Sequence, residues 1–331
     1  MNINQKRSQL FNQLQDSEID LSSLCFDIYD YQKTYNHLYR AYLQAVNRSD
    51  IKPSSIQDIP CLPIQFFKTH SIKSGAWSEE RIFLSSGTGG LQSKHLVRDV
   101  TFYRHHAQRI FEDEVGALSD YCFLALLPGY LERTGSSLIE MVDHFINASG
   151  HADNGFYLRD YDTLASTLDR LNRAGEKVIL FGVSFALIDF IDQYRPDMSH
   201  TIIMETGGMK SSHKAYTKQD ILMQLQENTN ARHIYSEYGM TELLSQAYAK
   251  DALHFHMPRS MSVDIKEITD PFTSCAVGKS GQINIIDLAN IDTCSFIQTQ
   301  DIGRIDLNGR LELMGRLDQS DIRGCNLLLE E

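Results

Sequence analysis

The chain has 331 residues, 42% of them hydrophobic and 22% charged, which excludes a disordered polymer and fits a soluble enzyme of one large domain or two subdomains. Its 31 basic and 43 acidic residues leave a net charge of −12, which excludes the basic footprint that general nucleic-acid binding requires. Met1–Arg7 leads into polar, helix-forming sequence without a signal-peptide core, and no run is long enough to span a bilayer, so a cytoplasmic protein is expected. Six scattered cysteines (Cys25, Cys61, Cys122, Cys275, Cys294, Cys325) form no Cys-x-x-Cys pair and are expected to be free thiols, mostly filling core.

Residues 1 to about 50 carry apolar positions at helical spacing with few breakers. In 59–68, Pro60 and Pro63 hold an extended lead into the next unit. Arg81–Leu84 then reads as a short strand, followed by Ser85-Ser86-Gly87-Thr88-Gly89-Gly90-Leu91-Gln92-Ser93-Lys94. Glycines let backbone amides approach an anion, hydroxyls add donors, and Lys94 supplies a mobile charge, a composition suited to wrapping a polyphosphate. It is not the Walker form, because no Gly-Lys-Ser/Thr triplet closes it. From Arg81 to about Lys250 short apolar runs alternate with amphipathic segments. Strands are predicted at 121–127, 177–181 and 200–204, and helices at 163–174, 185–194 and 217–228, giving an α/β fold with a largely parallel sheet covered by helices. Beyond about residue 253, strand-like pieces at 261–268, 281–287 and 304–314 predict a β-rich subdomain, with Asn308-Gly309 as a two-residue hairpin signal.

Ligands of parallel α/β sheets collect beyond the carboxyl ends of the strands. Besides the Ser85–Lys94 loop, Met204-Glu205-Thr206-Gly207-Gly208-Met209-Lys210 follows a strand and offers glycine backbone against which a flat ring can lie. Ile234–Glu242 places an aromatic face at Tyr238, a tight turn at Gly239, the Thr241 hydroxyl and the Glu242 carboxylate within five residues. Thr241 could bind a phosphate oxygen, and Glu242 could hold Mg²⁺ that neutralises a polyphosphate. Taken alone, this segment also reads as a helix start capped by Thr241.

In this order the segments resemble the adenylate-forming superfamily of acyl-CoA synthetases, luciferases and peptide-synthetase adenylation domains. Ser85–Lys94 resembles its phosphate loop, Thr206-Gly207-Gly208 its adenine-side loop, and Tyr238-Gly239-Met240-Thr241-Glu242 its aromatic-Gly-x-Thr-Glu motif. Thr299-Gln300-Asp301 stands where the family carries Thr-Gly-Asp, whose aspartate grips the ribose hydroxyls, and Gln300 departs from that glycine. Gly315-Arg316-Leu317-Asp318 resembles the hinge, with an ATP-contacting arginine. The resemblance implies ATP and Mg²⁺ as cofactors. It implies that Ser85, Ser86, Gly87, Thr88, Gly89, Gly90 and Lys94 hold the triphosphate, and that Tyr238, Gly239, Gly207 and Gly208 flank adenine. Asp301 takes ribose, Thr241 and Glu242 serve phosphate and metal, and Arg316 lies near ribose or phosphates.

Segments 62–70, 127–138 and 320–325 are also similar to the acyl-protein synthetase of bacterial bioluminescence and its relatives. That branch activates a fatty acid to an acyl-adenylate and moves the acyl group to its own cysteine, from which a reductase partner takes it. Here 13 residues follow Asp318, so the mobile domain that delivers a lysine in the wider superfamily is expected to be missing. Cys325, preceded by Arg323 and Gly324, becomes the expected acceptor: glycine gives swing and arginine favours thiolate. The expected organisation is a core over 1–315 (about 1–80 helical, 81–252 α/β, 253–315 β-rich), then a hinge and short tail over 316–331.

Three other readings compete. An aryl- or acyl-CoA ligase would use the same motifs with CoA as acceptor, and a chain without catalysis would be a nucleotide-binding scaffold. Gly182-Val183-Ser184-Phe185-Ala186 approaches the nucleophile elbow of serine hydrolases, against a plain helix N-cap by Ser184. His254 with His256, and His105 with His106, lack carboxylate or thiol company at ligand spacing. His70, residues 126–130 and the apolar residues of 181–190 are candidate walls for an acid pocket, or ordinary packing.

Overall fold

A computed structural model describes residues 2–317 apart from 17, 19, 87–90, 129–134 and 208–216. The helices are α1 (Ile3–Gln15), α2 (Leu21–Tyr35), α3 (His37–Ala45), α4 (Phe66–Thr69), α5 (Val100–Glu114), α6 (Ser137–Ser149), α7 (Tyr161–Ala174), α8 (Ser184–Gln193) and α9 (Lys218–Asn228). The strands are β1 (Leu62–Pro63), β2 (Arg81–Leu84), β3 (Lys94–Val97), β4 (Cys122–Leu126), β5 (Gly155–Phe156), β6 (Val178–Val183), β7 (Thr201–Thr206), β8 (His233–Tyr238), β9 (Ala247–Ala249), β10 (His254–Phe255), β11 (Met261–Lys266), β12 (Gly281–Asp287), β13 (Phe296–Ile305) and β14 (Leu311–Arg316). They fall into two compact units: Arg81–Thr88 with Asp99–His256, and Met1–Glu80 with Gly89–Arg98 and Met257–Glu331.

The first unit is the α/β one. Its sheet runs in the order β5-β4-β6-β7-β8-β9, parallel as far as β8 and antiparallel at β9. The predicted strands are β4, β6 and β7, each buried along its whole length, which is why they read as unbroken apolar runs rather than alternating ones. The predicted helices are α7, α8 and α9. Asp160 and Thr217 cap α7 and α9 with side-chain bonds to Thr163 N–H and Asp220 N–H, and Gly175 ends α7 in the left-handed conformation. The chain leaves β4 toward β5 on one side and β6 toward β7 on the other, so the order in which strands are added reverses between the parallel neighbours β4 and β6.

In the second unit β11, β12, β13 and β14 form an antiparallel sheet, with β1 parallel to β13. The helical 1–50 region resolves into α1, α2 and α3. Buried amides join α2 to the turn after β12: Gln32 Nε2 donates to Asn290 O (2.9 Å) and its Oε1 accepts from Ser295 N–H (2.9 Å). Asn36 Nδ2 donates to Thr293 O at 2.8 Å. Buried groups left without such partners would each cost about 1–3 kcal/mol. The expected hairpin exists in a different form. Gly309 N–H donates to Asp306 O, Asp306 N–H donates to Arg310 O, and Gly309 has φ +77° while Asn308 has no positive φ. That is a three-residue loop closed by a glycine bulge, not the two-residue turn, because the Asp306 carboxylate accepts from both Asn308 N–H and Arg310 N–H and holds the longer loop. The Arg310 N–H bond, with the Arg310 guanidinium and the Asn308 N–H behind it, lowers the pKa of the Asp306 carboxyl to about 2.

Candidate functional site

In the α/β unit β7 ends at Thr206 and is followed by exposed Gly207; Gly208 lies outside the described residues. The adjacent strand β8 ends at Tyr238, so two of the motif segments leave the carboxyl ends of neighbouring parallel strands. Tyr238 is 8% exposed and stands edge-on to Phe255, ring centroids 5.9 Å apart. Gly239–Gln246 returns through turns to antiparallel β9, and no helix follows Thr241. The helix-cap reading of Thr241 is therefore replaced by a turn between two strands. Thr241 is half-buried there and Glu242 is buried.

Beneath these loops lies a polar cluster that the motifs did not single out. Glu205, 1% exposed at the end of β7, accepts from Ser184 Oγ, from Ser236 Oγ (3.1 Å) and from the Lys218 ammonium. Glu237, buried one strand over, accepts from Thr206 Oγ1 at 2.5 Å through its Oε2. Burial pushes the Glu237 carboxyl up to about 7; the Thr206 bond and Lys218 pull it back, and the neighbouring Glu205 carboxylate adds to the rise. The sequence carried one signal, an acid at the next-to-last position of β7 after the apolar run Ile202-Ile203-Met204; Glu237 holds the same position in β8 but follows no such run. Ion pairing across strand and helix is a tertiary fact and was not readable.

The turn is also tied to α5. His106 Nε2 lies 2.9 Å from Ser245 Oγ, and its ring stacks on Phe102 at 5.3 Å. Burial, with Arg109 beside it, lowers the His106 pKa to about 3, so the imidazole is neutral at physiological pH.

Among the other predicted residues, Ser85 and Ser86 directly follow β2, and Gly87, Thr88, Gly89 and Gly90 lie outside the described residues. Lys94 opens β3 in the second unit and is exposed. In that unit Asp301 and Arg316 face each other across β13 and β14, with Arg316 Nε 3.8 Å from Asp301 Oδ1. The buried Thr299 hydroxyl accepts Asp301 N–H (3.0 Å) and donates to Ile283 O (2.8 Å), which explains why a threonine precedes the aspartate by two. Gln300, where the family has glycine, sits in β13 without a positive φ, so no backbone strain attends it. Asp318 and Cys325 lie outside the described residues.

Ser184 is the first residue of α8, whose N-cap is Val183, so the N-cap reading is corrected; its hydroxyl donates to the Glu205 carboxylate rather than to a histidine. His254 pairs with Asp251 (2.8 Å), and His70 is exposed. Among the described residues no group of three or more His, Cys, Asp and Glu side chains is placed to hold a metal ion. Cys25, Cys61, Cys122 and Cys294 are buried free thiols, and burial pushes Cys25, Cys122 and Cys294 up to about 12. Among the described residues no helix is long and apolar enough to cross a membrane.

No protein-family model and no curated protein matches the chain in sequence. Solved structures do match it in fold. ATP-bound MatB from Rhodopseudomonas palustris aligns over 71% of this chain and 47% of its own, with a TM-score of 0.53 and 16% identity. A long-chain-fatty-acid-CoA ligase from Archaeoglobus fulgidus aligns over 75% of this chain and 53% of its own, with a TM-score of 0.50 and 14% identity. O-succinylbenzoate coenzyme A synthetase from Bacillus subtilis, bound with a product analogue, aligns over 71% and 48%, with a TM-score of 0.51 and 16% identity. The chain spans about half the length of these proteins. Its mixed α/β fold is the one these ligases and synthetases share, as the motif resemblance predicted.

Proposed function

We propose that the chain activates a fatty or other apolar carboxylic acid with ATP to an acyl-adenylate and passes the acyl group to a cysteine, Cys325. The observation that carries the reading is the pairing of two motif segments at the carboxyl ends of β7 and β8, on a fold held in common with an ATP-bound protein. Substrate carboxylate oxygen attacks the α-phosphorus, and pyrophosphate leaves. The Cys325 thiolate then attacks the acyl carbon, and AMP departs with the electron pair of the broken C–O bond. Ser85 to Gly90 and Lys94 orient the triphosphate, and their donors stabilise the charge that builds at the α-phosphate. Tyr238, Gly239, Gly207 and Gly208 flank adenine; Asp301 takes ribose, and Arg316 a phosphate or ribose oxygen. Glu242, with Thr241 beside it, suits Mg²⁺, which takes one or two protein carboxylates and the rest of its shell from phosphates and water. The switch in strand order between β4 and β6 favours residues 126–130 and 181–190 as walls for the acid. A reductase or other acyl acceptor is the partner this chemistry calls for.

ATP–pyrophosphate exchange driven by a panel of carboxylic acids tests the first half. Absence of exchange with every acid, from folded protein that binds ATP, would favour a nucleotide-binding scaffold. Radiolabelled acid should then give a hydroxylamine-labile adduct that Cys325→Ser abolishes. A second reading, a CoA ligase, is favoured by the names of the matching structures. Free CoA thioester without a protein adduct would decide for it.

A further inference from the structure

We propose that Glu237 is a positioning residue that clasps the residues at the ends of β7 and β8, setting the spacing of the two segments that receive the nucleotide. The proposal rests on the ATP-dependent reading above and adds to it a residue outside the motif. Three observations meet at this side chain. Its Oε2 accepts the Thr206 hydroxyl at 2.5 Å, within the range of an O–H bonded to an ionised acceptor (about 2.5–2.7 Å). Thr206 and Glu237 are register partners, so the bond ties the last residue of β7 directly to the strand that launches the turn. The other oxygen, Oε1, lies against Gly239: a Cβ added there would overlap it, with Gln246 Cγ next nearest at 3.4 Å. Gly239 has no positive φ, so what a side chain there would disturb is the placing of the Glu237 carboxylate.

The surroundings make the clasp sensitive to protons. Glu205 on β7 and Lys218 on α9 act on Glu237 with opposite signs, and the buried phenols of Tyr103 on α5 and Tyr248 on β9 feel its charge. The ionised carboxylate accepts the stronger bond from Thr206, and the protonated one an ordinary bond. With its carboxyl near 7, Glu237 therefore loosens the two segments as pH falls through neutrality.

The test measures ATP binding by calorimetry, and the Michaelis constant for ATP and kcat of pyrophosphate exchange, between pH 5.5 and 8.5, on the full chain. Wild type should bind ATP more weakly below about pH 7, whereas Glu237→Gln should lose that inflection and show a Michaelis constant raised about tenfold at pH 8, the worth of one charge-assisted bond, with kcat little changed. Thr206→Val should raise it similarly, and Thr206→Ser should restore wild-type values. Wild-type pH profiles in Glu237→Gln, or equal behaviour of Thr206→Val and Thr206→Ser, would overturn the clasp while leaving ATP binding intact. No ATP binding by folded wild type at any pH would instead overturn the ATP-dependent reading, and the clasp with it.

Discussion

Glu237→Gln has a second consequence, on stability, and its sign is opposite to its effect on nucleotide binding. The wild-type carboxyl is held at about 7 in the folded chain against an ordinary 4.5, so between those values the folded state binds more protons than the unfolded one. Stability is then lost as pH rises from about 4.5 to about 7, and the loss is complete above 7. At about 1.4 kcal/mol per unit the shift amounts to about 3 kcal/mol. Glutamine keeps an acceptor for Thr206 and removes the ionisation, so the variant gains on wild type by about that amount between pH 4.5 and 8. Urea unfolding of both proteins at half-unit pH intervals reads the difference. Other titrating groups are common to the two and cancel. A difference that stays flat across this range refutes the buried, proton-holding carboxyl. A gain in stability together with weaker ATP binding is the pattern of a site that sacrifices stability for geometry.

Three further outcomes are expected. Lys218→Met leaves the buried Glu205 carboxylate with only hydroxyl partners and should cost about 3–5 kcal/mol in urea melts, most of it recovered when Glu205→Gln is added. Asp301→Asn breaks a 3.8 Å contact with a guanidinium whose side chain is 61% exposed, so stability should change by less than about 1 kcal/mol while acid-driven exchange falls steeply; an unchanged exchange rate argues against a ribose role. His106→Gln should remove an acid sensitivity. A buried histidine lowered to about 3 contributes stability that is full above about 6.5 and lost as pH falls toward 3, so wild type should weaken over that window more than the variant, as thermal melts at pH 4 and 7 would show.

The sequence by itself determined the α/β class, the positions of β4, β6 and β7 with the helices between them, and the order of the motif segments. Periodicity, caps and glycine chemistry are local, and these elements are bounded by such signals: Thr217 opens α9, Gly175 closes α7. Three local signals gave way to other contacts, one of them nearby in the chain and two between separate elements. Asn308-Gly309 became a three-residue loop because Asp306 accepts two backbone amides, Thr241 opened no helix because the chain turns back into β9, and Ser184 capped nothing because it bonds Glu205. Only the tertiary structure decided that Thr206 meets Glu237, that Lys218 reaches Glu205, and that Asp301 stands opposite Arg316. These contacts join residues many positions apart whose ionisation depends on burial, a property that a side chain acquires only once the strands around it are packed.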